Sequence, residues 1–268
     1  MNILFVFFGK MNPRQGGVER VSMLLAEEFS KRDHKVTFLS ISDKDEEDFP
    51  SPFRQIVLPY NSEDFNGKFA ALLEDNAIDF IILQGAYKHT VSLLDIIPKR
   101  TPKVLVLHNK PHTLHGFERK INRLTPSKGL DKKSLLLRYL AIASPGMFRK
   151  FNDAKNSERF RFINEKADRF VLLSNRFIPS LLAVTPGLDE TKITAINNPN
   201  TFACATSDTP KKNVVLFVGR LTNRQKNVTG FIDVWQKFSQ AHPEWEADRK
   251  STRLNSSHCR ISRMPSSA

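Results

Sequence analysis

Three short stretches of the chain carry residue types suited to one kind of chemistry, the handling of a phosphorylated ligand. The first is the loop GKMNPRQGGVER, in which Gly16 and Gly17 stand just before a segment with helical spacing. Glycines there let the backbone approach a ligand closely, and the unpaired N–H groups at a helix start favour phosphate. The alternative is a turn that needs positive φ. The second is His108, at the end of the apolar run VLVLHN, where a strand would deliver an imidazole to the ligand edge of a sheet. Such a ring can donate a hydrogen bond to a hydroxyl or phosphate, or hold a proton near neutral pH; the alternative is a structural or solvated histidine. The third is VGRLTNRQKN, with Gly219 and Arg220 after a strand and Lys226 at the start of a helix. A guanidinium fork and an ammonium charge beside a helix N-terminus make a diphosphate site, and the alternative is a pair of exposed loop cations.

Other chemistries fit less well. The glycine loop lacks the GxGxxG spacing of dinucleotide binders, and the third stretch lacks the GxxxxGK[ST] pattern of a P-loop. His112 and His115 follow His108 but have no cysteine or clear carboxylate partner at metal-ligand spacing. Cys204 and Cys259 are too few for a disulfide framework and too far apart for a metal pattern.

The elements that must position these residues alternate in type. Short apolar, β-branched or aromatic runs predict strands at Ile3–Phe8, Val36–Ser40, Arg54–Leu58, Phe80–Leu83, Val104–His108, Phe170–Leu173 and Ile193–Ile196. Helical spacing predicts helices at Val18–Lys31, Glu63–Asp75, Thr90–Ile97 and Phe177–Val184. Such alternation builds βαβ units around a parallel sheet, an α/β Rossmann-like domain whose ligands meet the C-terminal ends of the strands. The expected N-terminal domain covers residues 1–198, and the aperiodic residues 199–212 read as a linker. A strand at Val214–Val218 and a helix near 227–240 open a second α/β domain over 213–247.

The 268 residues carry a net charge of +13, and two segments hold the excess. Residues 119–169 have 14 basic against 5 acidic side chains, and interrupt the strand–helix alternation with an apolar cluster, Leu135 to Ile142, flanked by Lys132, Lys133, Arg138, Arg149 and Lys150. A basic amphipathic insertion of this kind suits an anionic membrane surface; the alternative is a pair of helices covering the sheet. Nucleic acid is disfavoured as a partner, because no recognisable binding motif accompanies the charge. The other segment, DRKSTRLNSSHCRISRMPSSA (248–268), resembles a reading-frame translation of a sequencing adapter. It is expected to be a non-native tail outside the fold, leaving the second domain cut short after Ala247; the alternative is an ordinary disordered basic terminus. The apolar runs fall short of the roughly 20 residues that span a bilayer, and the first run has neither a basic lead nor a cleavage site. A cytoplasmic location is expected.

In this order and separation the motifs resemble the family 4 glycosyltransferases, retaining enzymes of the two-Rossmann-domain GT-B architecture. The resemblance rests on GGVER (Gly16 to Arg20, with Glu19), His108, ADRFVLLSN (Ala167 to Asn175, with Ser174), KITAINNPN (Lys192 to Asn200, with Asn198) and VGRL…K (Val218 to Lys226, with Gly219). It implies a nucleotide-diphosphate-sugar donor bound between two domains, with Arg220 and Lys226 holding the pyrophosphate. Gly16 and Gly17 would approach the donor phosphates or the acceptor, and His108 would act catalytically beside the transferred sugar. Glu19, Ser174, Asn198 and Gly219 are the further cleft candidates, and neither a metal nor another cofactor is implied. The acceptor would be a glycan or lipid-linked glycan in surface polysaccharide synthesis, with the basic insertion resting peripherally on the inner face of the plasma membrane.

Two departures stand out. The family's paired donor-site glutamates fall beyond the chain's last residue, so the polypeptide as written is expected to be inactive. Asp33 occupies a position where glycine often precedes His-x-Val. The rival readings are a GT-B nucleotide-sugar epimerase and a non-catalytic nucleotide-sugar binding module.

Overall fold

The computed structural model describes residues 1–14, 16–42, 49–111, 145–199, 212–218, 228–250 and 259–261. It divides into two compact units, Met1–Pro199 and Asn200–Ala268. The elements of the first unit run β1 (Asn2–Phe7), α1 (Gly17–Ser30), β2 (Lys35–Ser40), β3 (Arg54–Val57), α2 (Phe65–Asp75), β4 (Phe80–Gln84), α3 (Lys88–Ile96), β5 (Lys103–Leu107), α4 (Pro145–Lys166), β6 (Arg169–Leu172), α5 (Ile178–Val184) and β7 (Ile193–Ala195). The strands form a seven-stranded sheet in the order β3-β2-β1-β4-β5-β6-β7, and every pairing is parallel. The strand order reverses between β1 and β4, and in sheets of this kind that switch point is where a crevice for ligands opens at the carboxyl ends.

Alternation along each strand splits the core into two layers. Phe5, Phe7 and Phe38 face α1, whose Met23 and Ala26 are buried against them. The ring pairs are edge-on, with centroids 5.6 Å apart for Phe5–Phe38 and 5.8 Å for Phe7–Phe38, a geometry that aromatic quadrupoles favour. Leu4, Val6, Leu39 and Ile41 face the opposite way, onto Phe69 of α2, Leu93 and Leu94 of α3, Phe160 and Ile163 of α4 and Leu181 of α5. Strands buried on both faces read as continuous apolar runs, which is why they stand out in the sequence.

The helix ends show where local chemistry overrides periodicity. Helix α2 starts at Phe65 and not at the expected Glu63, because Asp64 is its N-cap and its carboxylate accepts the Gly67 N–H at 3.2 Å. Helix α1 closes in a Schellman motif: Asp33 N–H donates to the Ser30 carbonyl at 3.0 Å and His34 N–H to the Phe29 carbonyl at 3.1 Å. This closure puts Asp33 at φ 60°, so the position where glycine was expected does demand a left-handed residue. Helix α2 ends in the same way, with Ala77 at φ 44° and the Ile78 N–H on the Leu73 carbonyl at 2.9 Å. The predicted strand ends at Phe8, Leu58, His108, Leu173 and Ile196 each lie one residue beyond the strands found, although Leu58 and Ile196 still donate their N–H groups to the Ser40 and Leu172 carbonyls at 2.9 and 2.8 Å. Strand β4 instead extends one residue further, to Gln84.

Helix α4 bears on the basic segment. Its described side chains include buried Phe160, Ile163 and Asn164; Arg159 donates to the Ala86 carbonyl at 3.2 Å and Lys166 pairs with Asp95 at 3.2 Å. Over residues 153–166 the segment therefore covers the sheet. Residues 112–144, with Leu135 to Ile142, His112 and His115, lie outside the described residues. Among the described residues no helix is long and apolar enough to cross a membrane.

The second unit contains β8 (Val214–Val218), α6 (Val228–Ala241), β9 (Glu246–Lys250) and β10 (Cys259–Ile261). Strands β8 and β9 pair in parallel around the α6 crossover, and β10 adds antiparallel to β9. Strand β9 runs past Ala247, with Asp248, Arg249 and Lys250 paired with Leu216, Phe217 and Val218. Ladder bonds come from the main chain, so a sheet edge recruits a segment whatever its side-chain periodicity.

Candidate active site

A parallel sheet brings the C-terminal ends of all its strands to one edge. On this edge lie the loop from β1 into α1, Gln84 at the end of β4 with Gly85 just after it, His108 just past β5, Ser174 beyond β6 and Asn198 beyond β7. With strands about 4.8 Å apart, His108 stands roughly 10 Å along the edge from β1, whereas Asn198 stands about 19 Å away. The structure therefore groups the α1 start with His108 and leaves exposed Asn198 at the far wing.

The β1 loop is fixed by burial. Met11 is 2% exposed within the α1-side core, and Asn12 is buried with its Oδ1 accepting the Arg14 N–H at 3.0 Å. Gly16 is the N-cap of α1 with extended backbone and no side-chain cap. Neither Gly16 nor Gly17 has positive φ, so the turn explanation for this pair fails. A Cβ built on Gly17 meets nothing within 4 Å, so packing does not exclude a side chain there. What remains is open space above a helix start whose first N–H groups have no intrahelical acceptor. Glu19 lies in the first turn, where its charge also interacts favourably with the helix dipole.

His108 is partly buried at the end of β5, and its Nε2 lies 2.5 Å from the Oε1 of Gln84. Burial pushes its pKa down to about 4, because removing an imidazolium from water without a compensating anion disfavours the charged form. The expectation of a proton held near neutral pH is thereby corrected. The ring's partner inside the fold is the Gln84 side chain, and whether the ring donates or accepts there depends on its tautomer. Gln84 was not singled out in the sequence; the available signal was an amide ending the otherwise apolar run FIILQ. Gly85 was missed as well: it has φ +92°, and a Cβ on it would meet the Tyr87 ring at 2.7 Å.

Ser174 caps the short 3-10 turn Asn175–Phe177, its Oγ accepting the Arg176 N–H at 3.3 Å. The predicted helix Phe177–Val184 is found as α5 (Ile178–Val184), entered through this capped turn. Gly219, Arg220 and Lys226 lie outside the described residues. A cavity of about 220 Å³ lined by Lys10, Met11, Phe38, Ser40, Gln55 and Val57 opens over β2 and β3, on the side of β1 away from His108.

A family model described as Glycosyltransferase Family 4 matches residues 15–199. Among solved structures, the chain is similar to the lipopolysaccharide outer core galactosyltransferase WaaB in its apo form, with 16% identity and a TM-score of 0.51 over 93% of this chain and 60% of that one. It is similar to TarM with 10% identity and a TM-score of 0.59, over 93% of this chain and 71% of that one. An alpha-glucosyltransferase in complex with UDP gives 18% identity and a TM-score of 0.50, over 93% and 57%. At these identities the likeness is one of fold, and the chain spans about 60% of the length of the first of these proteins. No curated protein sequence matches the chain.

Proposed function

The chain belongs to glycosyltransferase family 4, and from that premise we propose that its protein transfers a sugar, with retained anomeric configuration, from a nucleotide-diphosphate-sugar to a glycan or lipid-linked acceptor. The observation that carries the reading is the open, uncapped start of α1 at Gly16 and Gly17, on the same sheet edge as the His108–Gln84 pair. In this reading Arg220 and Lys226 hold the donor's diphosphate and stabilise the charge that builds on it as it departs, while the helix start at Gly16 and Gly17 offers N–H groups to a phosphate or to the acceptor. His108 accepts a hydrogen bond from the sugar as it passes through an oxocarbenium-like state. A neutral imidazole suits that place, since a positive ring would oppose a developing positive charge on the sugar.

The basic insertion supports the choice of acceptor. Its excess charge over residues 119–169 suits an anionic bilayer carrying a lipid-linked glycan. The deciding experiment incubates the product of the intact gene with labelled UDP- and GDP-sugars and with membranes of the source cell. Label passing to the lipid fraction, together with flotation on anionic but not neutral vesicles, supports the reading. An epimeric free nucleotide sugar without transfer would make the protein an epimerase, and saturable binding with no turnover would make it a binding module.

A further inference from the structure

Strand β4 ends in a buried polar residue that the chemistry above does not yet use. Gln84 is 2% exposed and closes a strand whose preceding residues, Phe80 to Leu83, are apolar. A buried amide needs a partner, and the Gln84 Oε1 has the His108 Nε2 at 2.5 Å. The main chain holds this amide in place. Gln84 is in register with Val106 on β5, and the next residue, Gly85, donates its N–H to the Val106 carbonyl at 2.9 Å. The left-handed backbone of Gly85 lets the chain turn at once beneath the Tyr87 ring. His108, by contrast, stands where β5 has already left the ladder. A neutral imidazole carries one N–H and one lone pair, and an oxygen acceptor at Nε2 assigns the N–H to that nitrogen and the lone pair to Nδ1.

We propose that Gln84 is a positioning residue that holds His108 as its Nε2–H tautomer, so that Nδ1 meets the transferred sugar as the acceptor of a hydroxyl hydrogen bond. The inference rests on the reading that places His108 beside that sugar. It deepens it by stating what the site selects: a donor sugar bearing a hydroxyl at that position, in preference to its deoxy analogue. It also assigns His108 no proton to give to a leaving oxygen near neutral pH, in keeping with the burial that keeps the ring uncharged.

The test is a two-bond nitrogen–proton correlation spectrum of the uniformly labelled 268-residue chain. The wild type is expected to show the Nε2–H pattern for His108 from pH 6 to 8. Gln84→Leu removes the acceptor and should give a mixture of tautomers. Gln84→Glu keeps an oxygen acceptor and the Nε2–H form, but its carboxylate should move the ring's titration up toward neutrality. In transfer assays with the intact gene product, Gln84→Leu should lower kcat about tenfold or more while the donor KM changes less than about twofold, as loss of orientation requires. Gln84→Glu should recover kcat on the alkaline side of its pH profile.

An Nδ1–H pattern in the wild type, or a tautomer unchanged in Gln84→Leu, overturns the proposal. Should Gln84→Leu fail to fold, the wild-type spectrum and Gln84→Glu still decide it. If the spectra behave as expected but His108→Gln transfers sugar as well as wild type, the placing of His108 beside the sugar fails, and the assigned purpose of the pair fails with it.

Discussion

Lowering the pH from 7 to 5 should destabilise the first unit through His108, and His108→Gln should remove most of that effect. The ring's pKa drops from an ordinary 6.5 in the unfolded chain to about 4 in the fold, so between those values the unfolded state binds more protons. Stability is therefore fully present above about pH 6.5 and is lost as the pH falls through the window toward 4. At about 1.36 kcal/mol per pH unit the whole window corresponds to about 3 kcal/mol, of which about 2 kcal/mol is lost by pH 5. Glutamine keeps an N–H that can reach Gln84 and removes the titration. The assay is urea denaturation at pH 7 and pH 5 followed by far-ultraviolet circular dichroism, to which the helices of the first unit, five among its described residues, contribute most. Both tryptophans, Trp235 and Trp245, belong to the second unit, so their fluorescence follows that unit separately. The expected result is a wild type that loses about 2 kcal/mol more than His108→Gln over this pH step. Equal losses in the two proteins would mean that the folded ring takes up its proton as freely as an exposed one, and the desolvation argument would be wrong.

Other perturbations separate ligand contact from folding. Gly17→Ala places a methyl in open space at a helix start, so stability should hold or rise by up to about 0.5 kcal/mol, while donor affinity measured by calorimetry on the intact gene product falls at least about tenfold; unchanged affinity would remove the helix start from the site. Ala77→Gly relieves a left-handed backbone and should stabilise the chain by about 1 kcal/mol in chemical denaturation, with a smaller gain for Asp33→Gly because aspartate tolerates that conformation better. Arg220→Ala should cut kcat/KM of the intact gene product about a hundredfold or more, against less than about twofold for Lys155→Ala on the exposed face of α4; equal effects would sink the diphosphate assignment.

Much of the fold was legible because parallel strands are buried on both faces. Runs such as ILFVF and FIIL leave no polar alternation to misread, and α1 follows from its helical spacing, although the side chains it buries, Ser22, Met23 and Ala26, are set by packing. What failed were the ends. Asp64 as a cap, Ser174 opening a 3-10 turn and the Schellman closures at Asp33 and Ala77 are settled by single hydrogen bonds, which periodicity averages away. The strand through Asp248 to Lys250 escaped notice because main-chain pairing leaves no mark on composition.

The candidate site divides in the same way. The sequence by itself determined which residue types stand at loop positions after strands: the paired glycines before α1 and the histidine after β5. Local order along the chain suffices for that, since a strand's last residue and a helix's first are set within a few positions. Only the tertiary structure decided what those residues can do. The crossover that seats β4 beside β5 brings Gln84 to His108 from 24 positions away, and burial of the ring lowers its affinity for a second proton. Packing left the space above Gly17 open. Proton affinity and free volume depend on neighbours that are remote in sequence, and no pattern within either segment encodes them.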